Sequence, residues 1–347
     1  MKIHALFDQM MTQRASDLHM VVGLPPMFRI HGELYPAKHP PLTQAMSEEY
    51  LFALVDEEKK KKFLETHDID FAYAFETKAR FRVNFFEQYR GMGAVFRLIP
   101  TAIVTPDDLG LPPSIVKMTE AKKGLILVTG PTGSGKSTTL ACMIDVINRT
   151  RQAHILTIED PIEFVHENKK CLITQRELGA HTESFGAALR VAGRQDPDII
   201  LIGEMRDLET IALALTSAEL GLLVFATLHT NSAAKTIDRI VDVFPFDQQD
   251  QVRGMLAESL KGVIAQQLLK TKDGKGRVGA FEVLVGSPAL GNLIREKKSA
   301  QVPSMIQTGG KVGMQSMDQH LEELVKVGKI TSDEARMKAH DKEKFQS

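Results

Sequence analysis

The chain of 347 residues has no tryptophan and only two cysteines, Cys142 and Cys171. Two isolated cysteines provide neither a disulfide framework nor the four ligands of a structural zinc site, and they suit a reducing compartment. An excess of one charge is also missing, because 43 Lys and Arg residues stand against 44 Asp and Glu residues. This balance leaves room only for a local basic patch, so no nucleic-acid partner is expected.

Long hydrophobic runs are lacking as well. Asp8 interrupts the apolar character of the N-terminus, which argues against a signal peptide. The least charged stretch, residues 211–228, contains Glu219 and Gly221. It is better interpreted as a buried helix followed by a buried strand than as a membrane span. We therefore expect a soluble, cytoplasmic protein, which leaves room for a partner in the membrane.

What the chain does have is the composition of a globular protein, with 43% hydrophobic and 25% charged residues. Its length predicts two domains. Residues 1–100 combine alternating strands with a helix over residues 50–63, which predicts a small α+β domain. The proline-rich residues 101–123 predict a linker. Short unbroken apolar strands alternate with helices over residues 124–285, which predicts an α/β domain with a largely parallel sheet, and residues 286–347 predict a helical C-terminal region.

A glycine-rich motif follows the first strand of the α/β domain and matches the phosphate-binding pattern G-x-x-x-x-G-K-[ST] at every fixed position. Glycines let backbone N–H groups turn toward phosphate oxygens, and the N-terminus of the next helix attracts the same anion. Lys136 is expected at the β- and γ-phosphates and the Ser137 hydroxyl on Mg²⁺. A helix is predicted from Lys136 to Ile147. The expected ATP-binding residues are Gly130, Pro131, Thr132, Gly133, Ser134, Gly135, Lys136, Ser137 and Thr138.

Further candidate residues follow other apolar strands, at the edge of the sheet where ligands bind in such folds. Glu204 comes directly after residues 199–203 and is expected to hold Mg²⁺ together with Ser137. A second strand ends in residues 159–163, which supply three acids, and the sequence alone does not say which of them positions water. His229 also follows a strand, but its position alone fits a surface histidine equally well.

Nine short motifs occur in order along nearly the whole chain. They are SDLH at 16–19, RFRVN at 80–84, VFR at 95–97, TIEDPIE at 157–163, QRE at 175–177, GEMRDLET at 203–210, TLHT at 227–230, DRIVDVFP at 238–245 and NLIRE at 292–296. Together they resemble the type II/IV secretion ATPases, and among these the motors that retract type IV pili.

This resemblance implies a PAS-like N-terminal domain, a RecA-like P-loop ATPase domain and a homohexameric ring with ATP between the two domains. It also implies ATP hydrolysis that drives pilus retraction and twitching motility. The place of action is then the cytoplasmic side of the inner membrane. The implied partner is an inner-membrane platform protein, with or without a second retraction ATPase.

The resemblance also assigns roles to individual residues. Glu204 corresponds to the Walker B acid, Glu163 to the glutamate that activates water, and His229 to the histidine of the His box. Arg82 and Arg97 correspond to arginines of the small domain that reach the phosphates of ATP, where positive charge offsets that of the transferring phosphoryl group. Without the resemblance, two solvated strand arginines are the simpler interpretation.

Three positions depart from the family pattern. Leu222 stands where the His box usually has a second histidine, Gly193 where a leucine is usual, and Gly291 where the C-terminal motif usually has an arginine. The C-terminal motif is tied to retraction rather than to hydrolysis, so Gly291 puts retraction in doubt. One alternative is therefore an accessory paralogue of the retraction motor with weak activity. The departure at Leu222 leaves open another, a ring subunit that binds ATP but hydrolyses it poorly.

Two further alternatives are disfavoured. Pilus or pseudopilus assembly ATPases usually carry a tetracysteine zinc-binding insertion, and this chain has only two cysteines. A RecA-like DNA helicase or packaging motor requires a basic groove or stacking aromatic residues. The balanced charge and the 4 tyrosines without any tryptophan argue against that function.

Overall fold

The computed structural model describes residues 2–30, 32–76, 78–99 and 103–346. They form two compact units, Met1–Ala102 and Ile103–Ser347. In the described part of the chain, every helix is too short or too polar to cross a membrane. The expected order of an α+β domain followed by an α/β domain is confirmed.

The first unit is built on a six-stranded antiparallel sheet with the strand order β3-β2-β1-β6-β5-β4. Its elements in chain order are α1 (Lys2–Thr12), β1 (Asp17–Met20), β2 (Met27–Ile30), β3 (Glu33–Pro36), α2 (Gln44–Phe52), α3 (Glu57–Thr66), β4 (Asp68–Phe75), β5 (Ala79–Gln88) and β6 (Gly91–Ile99).

One face of this sheet carries the core of the unit, because alternate residues of each strand point to the same side. The aromatic ring of Phe7 on α1 lies 4.5 Å from that of Phe81 and 5.1 Å from that of Phe96, measured between ring centroids. All three side chains are buried. Helix α1 therefore anchors the core, although the sequence analysis did not predict it.

The single helix expected over residues 50–63 is wrong, because two helices occupy this region. Helix α2 ends at Phe52, and Asp56 starts α3 by accepting a hydrogen bond from the backbone N–H of Lys59 at 2.8 Å. A side-chain cap of this kind satisfies one of the free N–H groups at a helix start. The cap thus creates a new helix start within the apolar pattern that predicted one helix.

The second unit is built on a seven-stranded sheet with the order β13-β12-β7-β11-β10-β8-β9, which is parallel except that β13 runs antiparallel to β12. Its elements are α4 (Pro106–Leu109), α5 (Pro113–Met118), β7 (Gly124–Thr129), α6 (Lys136–Thr150), β8 (His154–Glu159), β9 (Leu172–Glu177), α7 (Phe185–Ala192), β10 (Ile199–Ile202), α8 (Leu208–Glu219), β11 (Leu223–Leu228), α9 (Ala233–Asp242), α10 (Gln249–Ser259), β12 (Leu260–Lys270), β13 (Arg277–Val285), α11 (Pro288–Arg295), α12 (Val302–Thr308), α13 (Met317–Lys326) and α14 (Ser332–Lys338).

Helices cover both faces of this sheet. Leu125 and Leu127 of β7 belong to the core formed with α7 to α12, whereas Ile126 and Val128 belong to the core formed with α5 and α6. Every residue of β7, β10 and β11 is buried. This explains why the central strands are unbroken apolar runs in the sequence.

The expectation of a linker over residues 101–123 is wrong for the described residues 103–123, and residues 101 and 102 lie outside the described part. This segment contains α4 and α5 and belongs to the second unit. Ile115 is fully buried and packs in the same core as Ile126. The prolines mark helix starts here, since proline suits the first helical positions.

Three strands of the sheet were not predicted. Strand β9 is an edge strand whose residues are mostly half-buried, and β12 and β13 form a hairpin with polar residues among the apolar ones. The C-terminal helices α13 and α14 pack on this hairpin, where Leu269 and Ala280 contact Leu321 and its neighbours. The helical C-terminal region is thus attached to the sheet by strands that precede it.

The core position of Phe7 predicts a large loss of stability on truncation. We expect Phe7→Ala to lower the free energy of unfolding by about 3–5 kcal/mol, because it leaves a cavity among buried aromatic rings. Leu64→Ala is the control, since the Leu64 side chain is 58% exposed and such surface changes stay within about 0.5 kcal/mol. Urea unfolding followed by far-UV circular dichroism measures both, and equal midpoints for the two variants would contradict this packing.

Candidate functional site

The candidate site lies where four neighbouring parallel strands end. β12, β7, β11, β10 and β8 run in the same direction, so the carboxyl ends of β7, β8, β10 and β11 meet at one edge of the sheet. The glycine-rich loop follows β7, residues 160–171 follow β8, residues 203–207 follow β10, and His229 follows β11. Ligands bind at this edge in open α/β sheets.

The glycine-rich loop has a backbone that only glycine adopts easily. Gly130, Gly133 and Gly135 have φ values of 143°, 77° and 90°. A Cβ atom on Gly130 would lie 2.2 Å from the backbone oxygen of Gln266 on the neighbouring strand β12. The loop therefore packs directly against β12, and its shape depends on the missing side chain.

Lys136 is the first residue of α6, immediately after this loop. Its Nζ atom donates hydrogen bonds to the backbone oxygens of Gly130 at 2.8 Å and Pro131 at 3.1 Å. Burial lowers the pKa of Lys136, and the negative charges of Glu204 and Glu163 act in the opposite direction. The amine therefore lies over the loop within electrostatic range of two candidate acids.

Glu204 is held between a histidine and an arginine. Its Oε1 atom lies 2.8 Å from Nε2 of His229, and its Oε2 atom accepts a hydrogen bond from Arg206 at 2.7 Å. Burial raises the pKa of Glu204, but the hydrogen bond from Arg206 and the charges of His229 and Arg206 outweigh this effect, so its pKa lies below the ordinary value. Glu204 is thus kept as a carboxylate.

The acids that follow β8 differ in their surroundings. The Glu159 carboxylate accepts hydrogen bonds from Thr157 at 2.6 Å and from the side-chain amide of Gln175 at 3.1 Å, and burial raises its pKa. Glu163 is exposed, and its charge reaches Lys136. The fold therefore separates a hydrogen-bonded carboxyl group at the end of β8 from an exposed one on the loop that follows.

Arg82 and Arg97 belong to the first unit. They lie directly opposite each other on β5 and β6, on the sheet face that carries no helix, and both are exposed. Arg97 donates to Oδ1 of Asp17 at 2.8 Å. Burial raises the pKa of Asp17, but hydrogen bonds from Ser16 and Arg97 outweigh it, so the pKa lies below the ordinary value. The Asp17 carboxylate thus offsets part of the repulsion between these two like charges on adjacent strands.

Two of the departures from the family pattern lie away from this edge. Leu222 directly precedes β11, whereas His229 follows it, so the two are about 23 Å apart at 3.3 Å per strand residue. A histidine at position 222 would thus lie at the opposite edge of the sheet. Gly193 caps α7 with helical dihedrals, φ −58° and ψ −20°, and so does not interrupt that helix.

Gly291 lies on the buried side of α11. A Cβ atom there would lie 3.0 Å from the backbone oxygen of Ala257 on α10. The absence of a side chain lets α11 approach α10 closely. The arginine usual in this motif would have to displace one of the two helices from this arrangement.

Sequence reasoning missed Gln266 as part of the site. This side chain is only 4% exposed, and its Oε1 atom accepts a hydrogen bond from Thr139 of α6 at 2.8 Å. Gln266 on β12 therefore supports the glycine-rich loop. A buried polar residue within an apolar strand was the available signal, but β12 itself was not predicted.

Among the residues that the structure describes, no group of three or more His, Cys, Asp or Glu side chains could hold a metal ion by itself. Mg²⁺ is usually held by one or two carboxylates together with the phosphates of its substrate. Ser137 on the first turn of α6 and the carboxylate of Glu204 are oxygen donors of this kind. The donor set therefore fits Mg²⁺ that arrives with a nucleotide.

A glycine-rich loop between β7 and α6, with acids at the ends of neighbouring parallel strands, defines a RecA-like P-loop ATPase domain. Here it follows a small α+β domain. A family model for type II/IV secretion system proteins matches residues 1–343. The chain therefore belongs to the type II/IV secretion system protein family.

Within this family, the chain is similar to ATPases of type IV pili. The type IV pilus retraction ATPase PilT of Pseudomonas aeruginosa is 55% identical over 96% of this chain and 96% of its own length. The type IV pilus ATPase PilU of the same organism is 39% identical over 96% of this chain and 88% of its own length. The crystal structure of the pilus retraction motor PilT with bound ADP superimposes with a TM-score of 0.92, at 46% identity, over 98% of this chain and 97% of that one.

The glycine-rich loop predicts a sharp difference between two glycine substitutions. Gly130→Ala should weaken nucleotide binding about tenfold or more, a loss of about 1.4 kcal/mol, because the added carbon collides with β12 and φ is unfavourable. Gly193→Ala is the control, since no heavy atom lies within 4 Å of its Cβ position. Titration with a fluorescent ADP analogue measures both affinities. Equal affinities in the two variants would show that the loop does not bind the phosphates.

Proposed function

We propose that this protein is an ATP-hydrolysing motor that drives the retraction of type IV pili and thereby twitching motility. The observation that carries this proposal is the 55% identity to PilT over 96% of both chains. Every fixed position of the phosphate-binding motif is retained in the chain. The fold places Lys136, Glu204, Glu163 and His229 at one edge of the sheet, which supports hydrolysis at this place.

In this proposal, each residue of the site has a separate role in ATP binding and hydrolysis. The loop N–H groups and Lys136 bind the phosphates of ATP. Ser137 and Glu204 would hold Mg²⁺, which would supply positive charge against the phosphates. His229 orients Glu204 through their 2.8 Å contact. Glu163, the exposed acid, positions the attacking water.

Arg82 and Arg97 supply positive charge from the first unit. By the resemblance to the family, they offset the charge that develops on the γ-phosphate. We propose a homohexamer whose sites act together on an inner-membrane platform protein at the cytoplasmic side of the membrane.

One observation favours a second candidate function, that of an accessory retraction ATPase of the PilU kind that works beside a main motor. Gly291 replaces an arginine of the motif that is tied to retraction, and α11 packs accordingly close to α10. The higher identity to PilT than to PilU, 55% against 39%, favours the main motor. The assembly ATPases remain disfavoured by the lack of a tetracysteine insertion.

Hydrolysis depends on Lys136 in this proposal. We expect Lys136→Ala to abolish phosphate release from ATP, because the mobile cation at the β- and γ-phosphates is lost. The far-UV circular dichroism spectrum should stay unchanged, since the side chain bonds only to its own loop. A malachite-green assay on the purified protein measures the release, with and without single-stranded DNA. Wild-type turnover in the variant would refute the site, and stimulation by DNA would favour a helicase.

Deletion of the gene in its native host distinguishes the motor functions. The retraction motor predicts surface pili in excess together with a loss of twitching, and Lys136→Ala should fail to restore motility. A loss of surface pili would instead indicate an assembly ATPase. Twitching that persists at a reduced level would indicate the accessory motor. Electron microscopy of pili and a subsurface twitching assay provide the measurements.

A further inference from the structure

The segment that carries Glu163 lies between β8 and β9 and has no regular secondary structure. Side chains nevertheless hold its backbone on both sides of Glu163. The N–H of Ile162 donates to Oε2 of Glu177 at 3.1 Å, and the carbonyl oxygen of Phe164 accepts from Nε2 of Gln175 at 2.8 Å. Ile162 and Phe164 are also buried, at 4% and 6% exposure. Glu163 is therefore an exposed side chain between two fixed neighbours.

Gln175 makes the largest share of these contacts. Besides its bond to Phe164, its Oε1 atom accepts from the N–H of His166 at 2.8 Å, and its Nε2 atom donates to Oε1 of Glu159 at 3.1 Å. The side-chain amide of Gln175 thus connects two backbone groups of the loop with the carboxyl group of Glu159 at the end of β8. Gln175 and Glu177 are two residues apart on β9, so they project from the same side of that strand.

The residue type at position 175 matters because donor and acceptor are needed together. The carbonyl of Phe164 requires a donor, and the N–H of His166 requires an acceptor. Only an amide side chain of this length offers both groups at its tip without a charge. An apolar side chain would leave both backbone groups without these hydrogen bonds.

The far end of the same segment is tied to the helix that begins at Lys136. Asn148 of α6 is fully buried, and its Nδ2 atom donates to the carbonyl of Glu167 at 2.7 Å. Its Oδ1 atom accepts from the N–H of Lys169 at 3.1 Å. The segment is thus attached to the edge strand β9 on one side and to the helix α6 on the other.

We propose that Gln175 is a positioning residue for ATP hydrolysis, which acts by holding Glu163 at the place where it meets the attacking water. This inference rests on the proposed function, and in particular on the role of Glu163. Gln175 does not itself touch the nucleotide in this proposal. Its effect should therefore appear in the rate of the chemical step and not in nucleotide binding.

The first experiment replaces the amide with a side chain of similar length that forms no such hydrogen bonds. Gln175→Met should lower kcat for ATP on the order of tenfold or more, because a small displacement of a catalytic group is costly. KM and the affinity for ADP should stay within about twofold. Gln267→Met is the matched control, since Gln267 is half-buried in the same sheet and bonds to Lys338 of the C-terminal region. Its kcat should stay at the wild-type value.

A double-variant cycle separates positioning from general stability. In the Glu163→Gln background the group to be positioned is already gone, so adding Gln175→Met should lower kcat little further. The inference would be overturned if the double variant lost kcat by the product of the two single-variant factors. An unchanged kcat in Gln175→Met alone would also overturn it. Should Gln175→Met fail to fold, Gln175→Asn serves instead, because it keeps the amide but is too short to reach the loop, and the same outcomes apply.

The failure of the proposed function gives a different pattern. If wild-type protein hydrolyses no ATP, or if Glu163→Gln hydrolyses it at the wild-type rate, the role of Glu163 is wrong and the inference falls with it. If Glu163→Gln is inactive while Gln175→Met keeps the wild-type kcat, only the inference about Gln175 is wrong. The same phosphate-release assay provides all of these rates.

Discussion

The parallel pairing of β7, β8, β10 and β11 is the constraint on which the rest of the second unit depends. Hydrogen bonds between parallel strands require that all carboxyl ends meet at one edge, and the helices on both faces bury β7, β10 and β11 completely. The glycine-rich loop, Glu204 and His229 reach one another only because the strands that precede them are paired in this way. The sheet therefore determines where the site lies, and the loops after its strands provide the side chains and backbone groups of the site.

The acids at this edge have different pKa values because their burial and their partners differ. Glu204 keeps its charge because His229 and Arg206 lie against it, whereas Glu159 is buried among neutral donors and its pKa is raised. Lys136 lies over its loop under the influence of both Glu204 and Glu163. The partnered Glu204 and the exposed Glu163 thus both act on one lysine, which suits a site that must bind a polyanion and also position water.

The structure gives a physical account of two of the departures from the family pattern. Leu222 lies at the opposite end of β11 from His229, so its lack of a titratable group leaves the nucleotide edge intact. Gly291 changes how closely α11 and α10 pack, and this affects a surface remote from β7 in the chain. The two differences therefore bear on different properties, and only the second concerns the packing of two helices.

Local chemistry explains what could be predicted from the sequence alone. The glycine-rich loop is specified within eight residues by φ values that favour glycine, and an unbroken apolar run followed by an acid predicts a strand and the edge where its residue lies. The P-loop class, Lys136 and Glu204 could be named for this reason, whereas Glu163 and His229 were assigned roles only by the resemblance to the family. Only the tertiary structure decided that residues 103–123 belong to the core, that Gln266 supports the loop, and which acid after β8 is exposed. Those features depend on side chains far apart in the sequence, because burial and hydrogen-bond partners exist only once the chain has folded.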